Sequence, residues 1–274
     1  MNINKIMLEL NKIYNESNLD TMSRMPDSFV DLVVTSPPYD DLRTYNGYSF
    51  DFESIAKELF RITKEGGIVV WVVGDATINS SESLTSFKQA LYFKEMGFNV
   101  HDTMIYQKAN FSNPSTTRYH QIFEYMFVFV KGKIKTFNPL IDRKNITTEG
   151  SIGRNTKRQK DGSFKETKKR NNSEYGMRYN IWRMKTTGQE NMGKSLPHPA
   201  MFPEQLANDH IISWSNEGDL IYDPFMGSGT TAISSIKNGR NWIGSEISAE
   251  YSDIANKRIQ LVMDEMKSKP TQLF

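Results

Sequence analysis

A polar loop with two consecutive prolines follows an apolar run early in the chain. The run covers residues 29–34 and predicts a short buried strand. The loop, Thr35-Ser36-Pro37-Pro38-Tyr39, cannot extend that strand, because neither proline donates a backbone N–H. Each proline also favours extended geometry in the residue before it. The sequence therefore predicts a stiff, non-helical loop at the carboxyl end of a strand, where open α/β sheets bind their ligands.

The side chains of this loop suit the activation of an exocyclic amino group on a nucleobase. Such a nitrogen is a poor nucleophile, because its lone pair is delocalised into the ring. Acceptors aimed at its two N–H groups would localise the lone pair, and Ser36 Oγ and the Pro37 carbonyl are candidates. The ring of Tyr39 could stack on a base taken out of the duplex. From the pentapeptide alone, a rigid surface turn is the alternative interpretation.

A second candidate site lies near the other end of the chain. Residues 219–222 predict a strand that leads into Asp223-Pro224-Phe225-Met226-Gly227-Ser228-Gly229-Thr230-Thr231, and residues 232–238 predict an amphipathic helix. Gly227 and Gly229 lack the Cβ atoms that would block the close approach of a ligand. The helix N-terminus offers unpaired N–H groups to a carboxylate.

An acidic residue completes this second pattern. Residues 241–244 predict another strand, which ends at Ser245 and Glu246. An acid at the end of the second strand is well placed to hold ribose hydroxyls. The strand, glycine turn, helix, strand and acid together predict a cofactor site rather than an ordinary tight turn.

The two motifs, in this order, resemble those of the beta class of DNA amino-methyltransferases. These are the cytosine-N4 and adenine-N6 enzymes of the restriction-modification type, which use S-adenosylmethionine. The turn from Asp223 to Thr230 resembles their cofactor motif, and the proline loop resembles their catalytic motif, which comes first in this class. A third segment, His198-Pro199-Ala200-Met201-Phe202-Pro203-Glu204, is similar to the one that precedes their cofactor strand. The resemblance covers nearly the whole chain.

The resemblance implies an α/β fold with a Rossmann-like, seven-stranded sheet, parallel except for one strand and flanked by helices. The motif order is circularly permuted, and the strands before Ser36 and Gly227 would be central and adjacent. Residues 1–131 would form the catalytic part of the methyltransferase domain and residues 197–274 its cofactor-binding part. Residues 132–196 would form a basic target-recognition insert.

The resemblance also implies residue roles. Ser36 and Pro37 would orient the amino group, Tyr39 would stack on the flipped base, and Pro38 completes the predicted catalytic set. Glu16 follows a predicted strand and stands where the class usually has an Asp near the cofactor adenine. The predicted cofactor-binding set is Thr35, Glu16, His198, Pro199, Ala200, Asp223, Pro224, Phe225, Gly227, Ser228, Gly229, Thr230 and Glu246. The sulfonium of the cofactor is already activated, so neither a metal nor a strong base is required.

The charge distribution predicts where DNA binds. Residues 131–185 carry 16 Lys and Arg against 5 Asp and Glu, whereas the remainder carries 18 against 27. Lysines and arginines can contact phosphates, and asparagines, glutamines and arginines can read base edges. A solvated loop is the alternative, but it does not explain the charge asymmetry. The predicted DNA-binding set is Arg118, Arg154, Lys157, Arg158, Lys168, Lys169, Arg170, Arg178 and Arg183. Arg118 belongs to a loop over residues 110–120 that we expect at one edge of the pocket.

The identity of the base rests on one position. Family members with Ser at the first catalytic position are most often cytosine-N4 enzymes, and those with Asp there are most often adenine-N6 enzymes. Ser36 therefore favours cytosine N4, with adenine N6 as the alternative. Protein and RNA amino-methyltransferases with a similar loop usually place the cofactor motif first. A non-catalytic DNA-binding protein with the same fold is the alternative from another class.

Composition excludes several other classes. The chain has no cysteine, which excludes disulfides, zinc fingers and thiol nucleophiles, and its four histidines make a metal site unexpected. No run approaches the ~18 apolar residues of a membrane span, and no signal-peptide pattern is present. We therefore expect a soluble, cytoplasmic protein that binds double-stranded DNA. A cognate restriction endonuclease acting on the same site and a second copy of the chain are further candidate partners.

Overall fold

The computed structural model describes residues 8–38, 50–111, 114–145, 156–166, 173–185 and 203–268. In these ranges the chain forms six helices: α1 (Asn18–Arg24), α2 (Phe52–Ile62), α3 (Thr85–Glu95), α4 (Glu204–Trp214), α5 (Thr230–Lys237) and α6 (Ala249–Ser268). It also forms fourteen strands: β1 (Lys12–Tyr14), β2 (Val30–Thr35), β3 (Thr63–Val73), β4 (Thr77–Ile78), β5 (Ser81–Glu82), β6 (Phe98–Lys108), β7 (Phe123–Lys131), β8 (Arg143–Lys144), β9 (Thr156–Arg158), β10 (Phe164–Glu166), β11 (Tyr175–Gly176), β12 (Ile181–Met184), β13 (Leu220–Asp223) and β14 (Asn241–Ser245).

Eight strands form one sheet in the order β1-β14-β13-β2-β3-β7-β6-β12. All neighbours run parallel except at β7, which is antiparallel to both β3 and β6. The predicted fold class, a mostly parallel Rossmann-like sheet with flanking helices, is confirmed. The remaining strands form three two-stranded ribbons, β4–β5, β8–β11 and β9–β10.

The sheet has one strand more than the seven that we predicted. The eighth strand, β12, pairs in parallel with β6, so that Trp182 lies opposite Tyr106. Its side chains alternate, since Trp182 and Met184 are buried while Ile181 and Arg183 are exposed. This four-residue alternation was hidden in a basic segment, where the high charge favoured the interpretation as an insert.

The central strands carry the core. β2 and β3 read as nearly continuous apolar runs because both faces of these strands are covered. On one side, α1 and α3 pack against α2, whose buried side chains Ile55, Leu59 and Ile62 recur at helical spacing. In a second group of helices, α4 and α6 pack against α5. Each fully buried apolar side chain contributes about 1.5–3 kcal/mol to the free energy of folding, so these layers stabilise the sheet.

The chain divides into two compact units. The first comprises Met1–Asn138 and Asn180–Phe274 and contains the eight-stranded sheet. The second is Pro139–Tyr179 and contains the ribbons β8–β11 and β9–β10. The assignment of residues 132–196 to target recognition stays a prediction. Among the helices of the described ranges, none has the length and apolar character that crossing a membrane would require.

Candidate active site

The two predicted motifs meet at the centre of the sheet. β2 and β13 are parallel neighbours, with Ile221 opposite Leu32. At the carboxyl ends of these strands, Thr35 Oγ1 donates a hydrogen bond of 2.6 Å to Asp223 Oδ1. The proline loop and the glycine turn therefore leave the sheet side by side, as the sequence predicted.

The carboxylate of Asp223 joins three segments of the chain. Besides the bond from Thr35, its Oδ2 accepts from Thr231 Oγ1 at 2.7 Å, and its Oδ1 accepts from the Phe225 N–H at 3.0 Å. The side chain is 1% exposed. Burial raises the pKa of Asp223 to about 6, although the hydrogen bonds from Thr35, Thr231 and Phe225 oppose the rise. The three bonds indicate that Asp223 sets the geometry of the turn; direct contact with a cofactor stays a prediction.

The proline loop begins against the core. Thr35 pairs with Trp71 of β3 and is buried, as is Pro37, whereas Ser36 and Pro38 are half-buried. Tyr39 lies outside the described residues, so its stacking role stays a prediction. The acceptor roles of Ser36 and Pro37 also stay predictions.

Aromatic side chains pack against each other beside the glycine turn. The ring of Phe225 meets Phe50 edge to face, with centroids 5.7 Å apart, and lies 6.3 Å from Trp71. Trp71 is held in turn by a hydrogen bond of 2.8 Å from its Nε1 to Gln89 Oε1. These contacts fix the position of Phe225, which the sequence assigned to the cofactor site.

The glycine turn lies between a strand and a helix, as the sequence predicted. Gly227 and Gly229 have φ values of 52° and 86°, in the left-handed region that glycine enters without steric cost. The N–H of Gly227 donates to Glu246 Oε2 at 2.8 Å, and the N–H of Ser248 donates to Oε1 at 2.8 Å. The turn ends where α5 begins, at Thr230.

The position of Glu246 fits a nucleoside-containing cofactor. β13 and β14 are parallel neighbours, so Glu246 follows the strand beside the glycine turn. The carboxylate has about four lone-pair positions, and the backbone N–H groups of Gly227, Ser248 and Ile247 take up three, so that one could accept a ribose hydroxyl. Burial raises the pKa of Glu246 above its usual value, and the hydrogen bonds from Ser248 and Gly227 oppose that rise. The Glu246 carboxylate therefore fits S-adenosylmethionine, whose ribose needs a hydrogen-bond acceptor.

Three side chains that hold the glycine turn and Glu246 were absent from the predicted set. Nη1 of Arg258, on α6, donates to the Ser228 carbonyl and, at 2.8 Å, to Ser228 Oγ. Asn18 Nδ2 donates to the Pro224 carbonyl at 3.2 Å, and Asn15 Nδ2 donates to the Glu246 carbonyl at 2.7 Å. The sequence did offer one indication for Arg258: it lies next to Ile259 and three residues after Ala255, and therefore on the buried side of α6. The asparagines carried no local signal.

The predicted acid near the cofactor adenine is already paired within its own segment. Glu16 Oε1 accepts from Thr21 Oγ1 at 2.7 Å and forms an ion pair with Arg24. The role of Glu16 therefore stays a prediction. His198, Pro199 and Ala200 lie outside the described residues, and their roles stay predictions as well.

The described members of the predicted DNA-binding set have different surroundings. Arg178 pairs with Asp142 through both carboxylate oxygens, and this hydrogen bonding lowers the pKa of Asp142 below its usual value. Arg178 therefore forms an ion pair within the second unit, and its contact with DNA stays a prediction. Lys157 and Arg158 are exposed on β9, and Arg183 is exposed on β12.

Arg118 lies in the first unit, as does Arg183. Arg118 donates to Thr77 Oγ1 at 2.5 Å and lies 3.7 Å from Glu82 Oε1. It therefore joins the loop between β6 and β7 to the β4–β5 ribbon. The remaining members of the set, Arg154, Lys168, Lys169 and Arg170, lie outside the described residues.

Comparison with known proteins agrees with this geometry. The family model N6_N4_Mtase, described as DNA methylase, matches residues 30–257. The chain is 58% identical over 238 residues to the orphan methyltransferase M.BamHII of Bacillus amyloliquefaciens, covering 85% of this chain and 90% of the relative. It is 26% identical over 270 residues to the type II methyltransferase M.BglII of Bacillus subtilis, covering 95% and 72%.

A solved structure shows the same fold. The PvuII DNA methyltransferase, described as cytosine-N4-specific, superposes with a TM-score of 0.65 at 18% identity and covers 95% of this chain and 93% of its own. The family match confirms that the chain is a DNA amino-methyltransferase, and with it the predicted cofactor, S-adenosylmethionine. Because the family model spans most of the chain and M.BamHII is similar along nearly its whole length, this protein belongs to the N6_N4_Mtase family of DNA amino-methyltransferases.

Proposed function

We propose that the protein transfers a methyl group from S-adenosylmethionine to N4 of cytosine in double-stranded DNA. The observation that carries the proposal is the hydrogen bond from Thr35 to Asp223, next to Ser36 in the chain. It ties the loop that would hold an amino group to the turn that would hold the cofactor. The choice of cytosine rests on Ser36, the residue type that most often accompanies cytosine-N4 transfer in the resembling class.

The bound cofactor supplies an activated methyl group. The chain itself supplies positioning, because Asp223 fixes the proline loop against the glycine turn and Glu246 fixes the end of β14. Ser36 Oγ and the Pro37 carbonyl accept the two amino N–H groups and direct the nitrogen lone pair outward. Such preorganised acceptors need no reorganisation during the reaction, which is the source of their effect on rate.

The exposed basic residues of the second unit are proposed to contact the DNA backbone. Lys157 lies directly opposite Lys165 across the β9–β10 ribbon, and Arg158 lies opposite Phe164. Like charges directly opposite each other destabilise a strand pair, and a phosphate would relieve that repulsion. Arg178 is proposed instead to support the unit through Asp142.

Two other functions remain to be distinguished from this one. Adenine N6 offers the same two N–H groups to the same acceptors, so an adenine-N6 enzyme is the alternative within the family. A non-catalytic DNA-binding protein would not need the hydrogen bond from Gly227 to Glu246 that shapes the glycine turn. M.BamHII is called an orphan methyltransferase, so a cognate endonuclease is not part of the proposal.

Sequencing of DNA from cells that express the protein, with detection of modified bases, tests the proposal. We expect N4-methylcytosine at one recurring sequence, absent from cells that express the Gly227→Val variant. N6-methyladenine at a recurring sequence would instead establish the alternative within the family. No modified base, together with unchanged DNA binding when S-adenosylmethionine is added, would support the non-catalytic alternative.

A further inference from the structure

The loop between β6 and β7 leaves the same edge of the sheet as the proline loop. β7 begins at Phe123, and its Tyr125 lies opposite Val73 at the end of β3. β3 in turn pairs with β2 through Trp71 and Thr35. Two to three strand spacings, about 10–14 Å, therefore separate this loop from the end of β2 along the sheet. This distance is comparable with the ~12 Å width of the DNA major groove.

The most exposed aromatic side chain of the described part of this loop is Tyr119. Tyr119 is 101% exposed, the highest value among the exposed large apolar or aromatic side chains of the described residues. Single exposed apolar side chains are common on protein surfaces. The exposure of Tyr119 is notable because its two neighbours in the chain are both held by contacts.

Both neighbours of Tyr119 are held in place. On one side, Arg118 is fastened to the β4–β5 ribbon through Thr77 and Glu82. On the other side, the ring of His120 stacks on Phe111 with centroids 4.1 Å apart and planes at 16°. The Ser115 N–H also donates to His120 Nδ1 at 3.2 Å. The residues on both sides of Tyr119 are therefore anchored, whereas its own ring is fully exposed.

We propose that Tyr119 inserts into the DNA stack and occupies the space left by the target base. The inference rests on the proposed function, since methyl transfer at the proline loop requires the base to leave the duplex. Extrusion of a base costs a few kcal/mol of stacking and pairing. An aromatic or apolar side chain placed between base pairs restores part of that stacking. Arg118, next to Tyr119, can keep its hydrogen bond to Thr77 while its other N–H groups contact a phosphate.

The test compares three duplexes for binding by fluorescence anisotropy. The first contains the methylated sequence mapped by the sequencing experiment, the second has an abasic nucleotide in place of the target base, and the third lacks the sequence. Tyr119→Ala should lower affinity for the first two by roughly 5- to 150-fold, the range for the loss of one stacked base, and leave the third unchanged. Tyr119→Phe should match the parent, because the ring is kept. Leu91→Ala, which truncates a side chain that is 62% exposed on α3, serves as the control.

Other outcomes would overturn the inference in recognisable ways. Equal loss on all three duplexes would make Tyr119 an ordinary surface contact, and a Tyr119→Phe variant as weak as Tyr119→Ala would assign the effect to the hydroxyl. If Tyr119→Ala changed the mass of the DNA-free protein measured by light scattering, the ring of Tyr119 would instead contact a second copy of the chain. In each of these cases the parent protein still transfers methyl groups. A parent protein that transferred none would instead overturn the proposed function.

Discussion

The buried carboxylate of Asp223 makes a prediction about stability and pH. Burial raises its pKa to about 6 from a usual value of 3.8. Each pKa unit is worth about 1.4 kcal/mol, so the difference corresponds to about 3 kcal/mol. Between these two pH values the native state binds the proton and the unfolded state does not. The contribution of Asp223 to stability is therefore full below pH ~4 and is lost as the pH rises to about 6.

Asp223→Asn should remove this dependence while it preserves the shape of the side chain. The amide oxygen can still accept from Thr35 and from the Phe225 N–H. The amide nitrogen can donate to Thr231 Oγ1, whose own proton can turn to the Val34 carbonyl, 3.3 Å away. The free energy of unfolding of the variant, relative to the parent, should therefore rise by up to about 3 kcal/mol between pH 4 and pH 6 and stay level above pH ~7.

Urea unfolding followed by tryptophan fluorescence, at one-unit pH steps from 4 to 8, measures this difference. Contributions from other ionisable groups are common to both proteins and cancel in the comparison. Asp253→Asn, an exposed carboxylate on α6, is the matched control and should show no such rise. A difference between Asp223→Asn and the parent that did not change with pH would refute the reasoning, because Asp223 would then titrate alike in the folded and unfolded states.

Three further predictions concern the cofactor and the reaction. Gly227→Val should abolish S-adenosylmethionine binding measured by calorimetry, because a branched side chain is strained at a φ of 52°. Gly218→Val carries the same kind of backbone strain, at a φ of 83° outside the turn and with nothing within 4 Å of an added Cβ, and should bind normally. Equal affinities of Gly227→Val and the parent would contradict the assignment of the turn. Arg258→Gln should weaken cofactor binding, because it removes the hydrogen bond from Arg258 to Ser228 in the turn. Lys257→Gln, which changes the exposed neighbouring residue, should not. Full cofactor affinity of Arg258→Gln would show that the turn keeps its shape without Arg258. Ser36→Ala should lower the single-turnover rate by ~10²–10³ with unchanged DNA affinity, and transfer at the parental rate would reduce Ser36 to a turn residue.

Local chemistry made much of this protein readable from its sequence. The prolines after an apolar run predicted where β2 ends, because proline cannot continue a ladder of hydrogen bonds. Gly227 and Gly229 predicted a turn between a strand and a helix, which the structure confirms, and the positive φ of both glycines is a finding of the structure. The order of the two motifs, through their resemblance to a family, predicted that β2 and β13 are neighbours. Each of these inferences uses the intrinsic preference of a residue or of a short segment.

Long-range pairing is what the tertiary structure decided. The bond from Thr35 to Asp223 joins residues 188 positions apart, and no local pattern states which hydroxyl will meet which carboxylate. The same holds for the support that Arg258 gives to Ser228, because a helix pattern identifies a buried face but not its neighbour. The short alternating segment of β12 could be identified as a strand only from its pairing with the edge of β6. Likewise, the ion pair of Arg178 with Asp142 was not readable from the sequence, and the contact of Arg178 with DNA stays a prediction. Periodicity and turn chemistry act over a few residues, whereas the pairing of polar groups depends on which surfaces the packed sheet brings within reach.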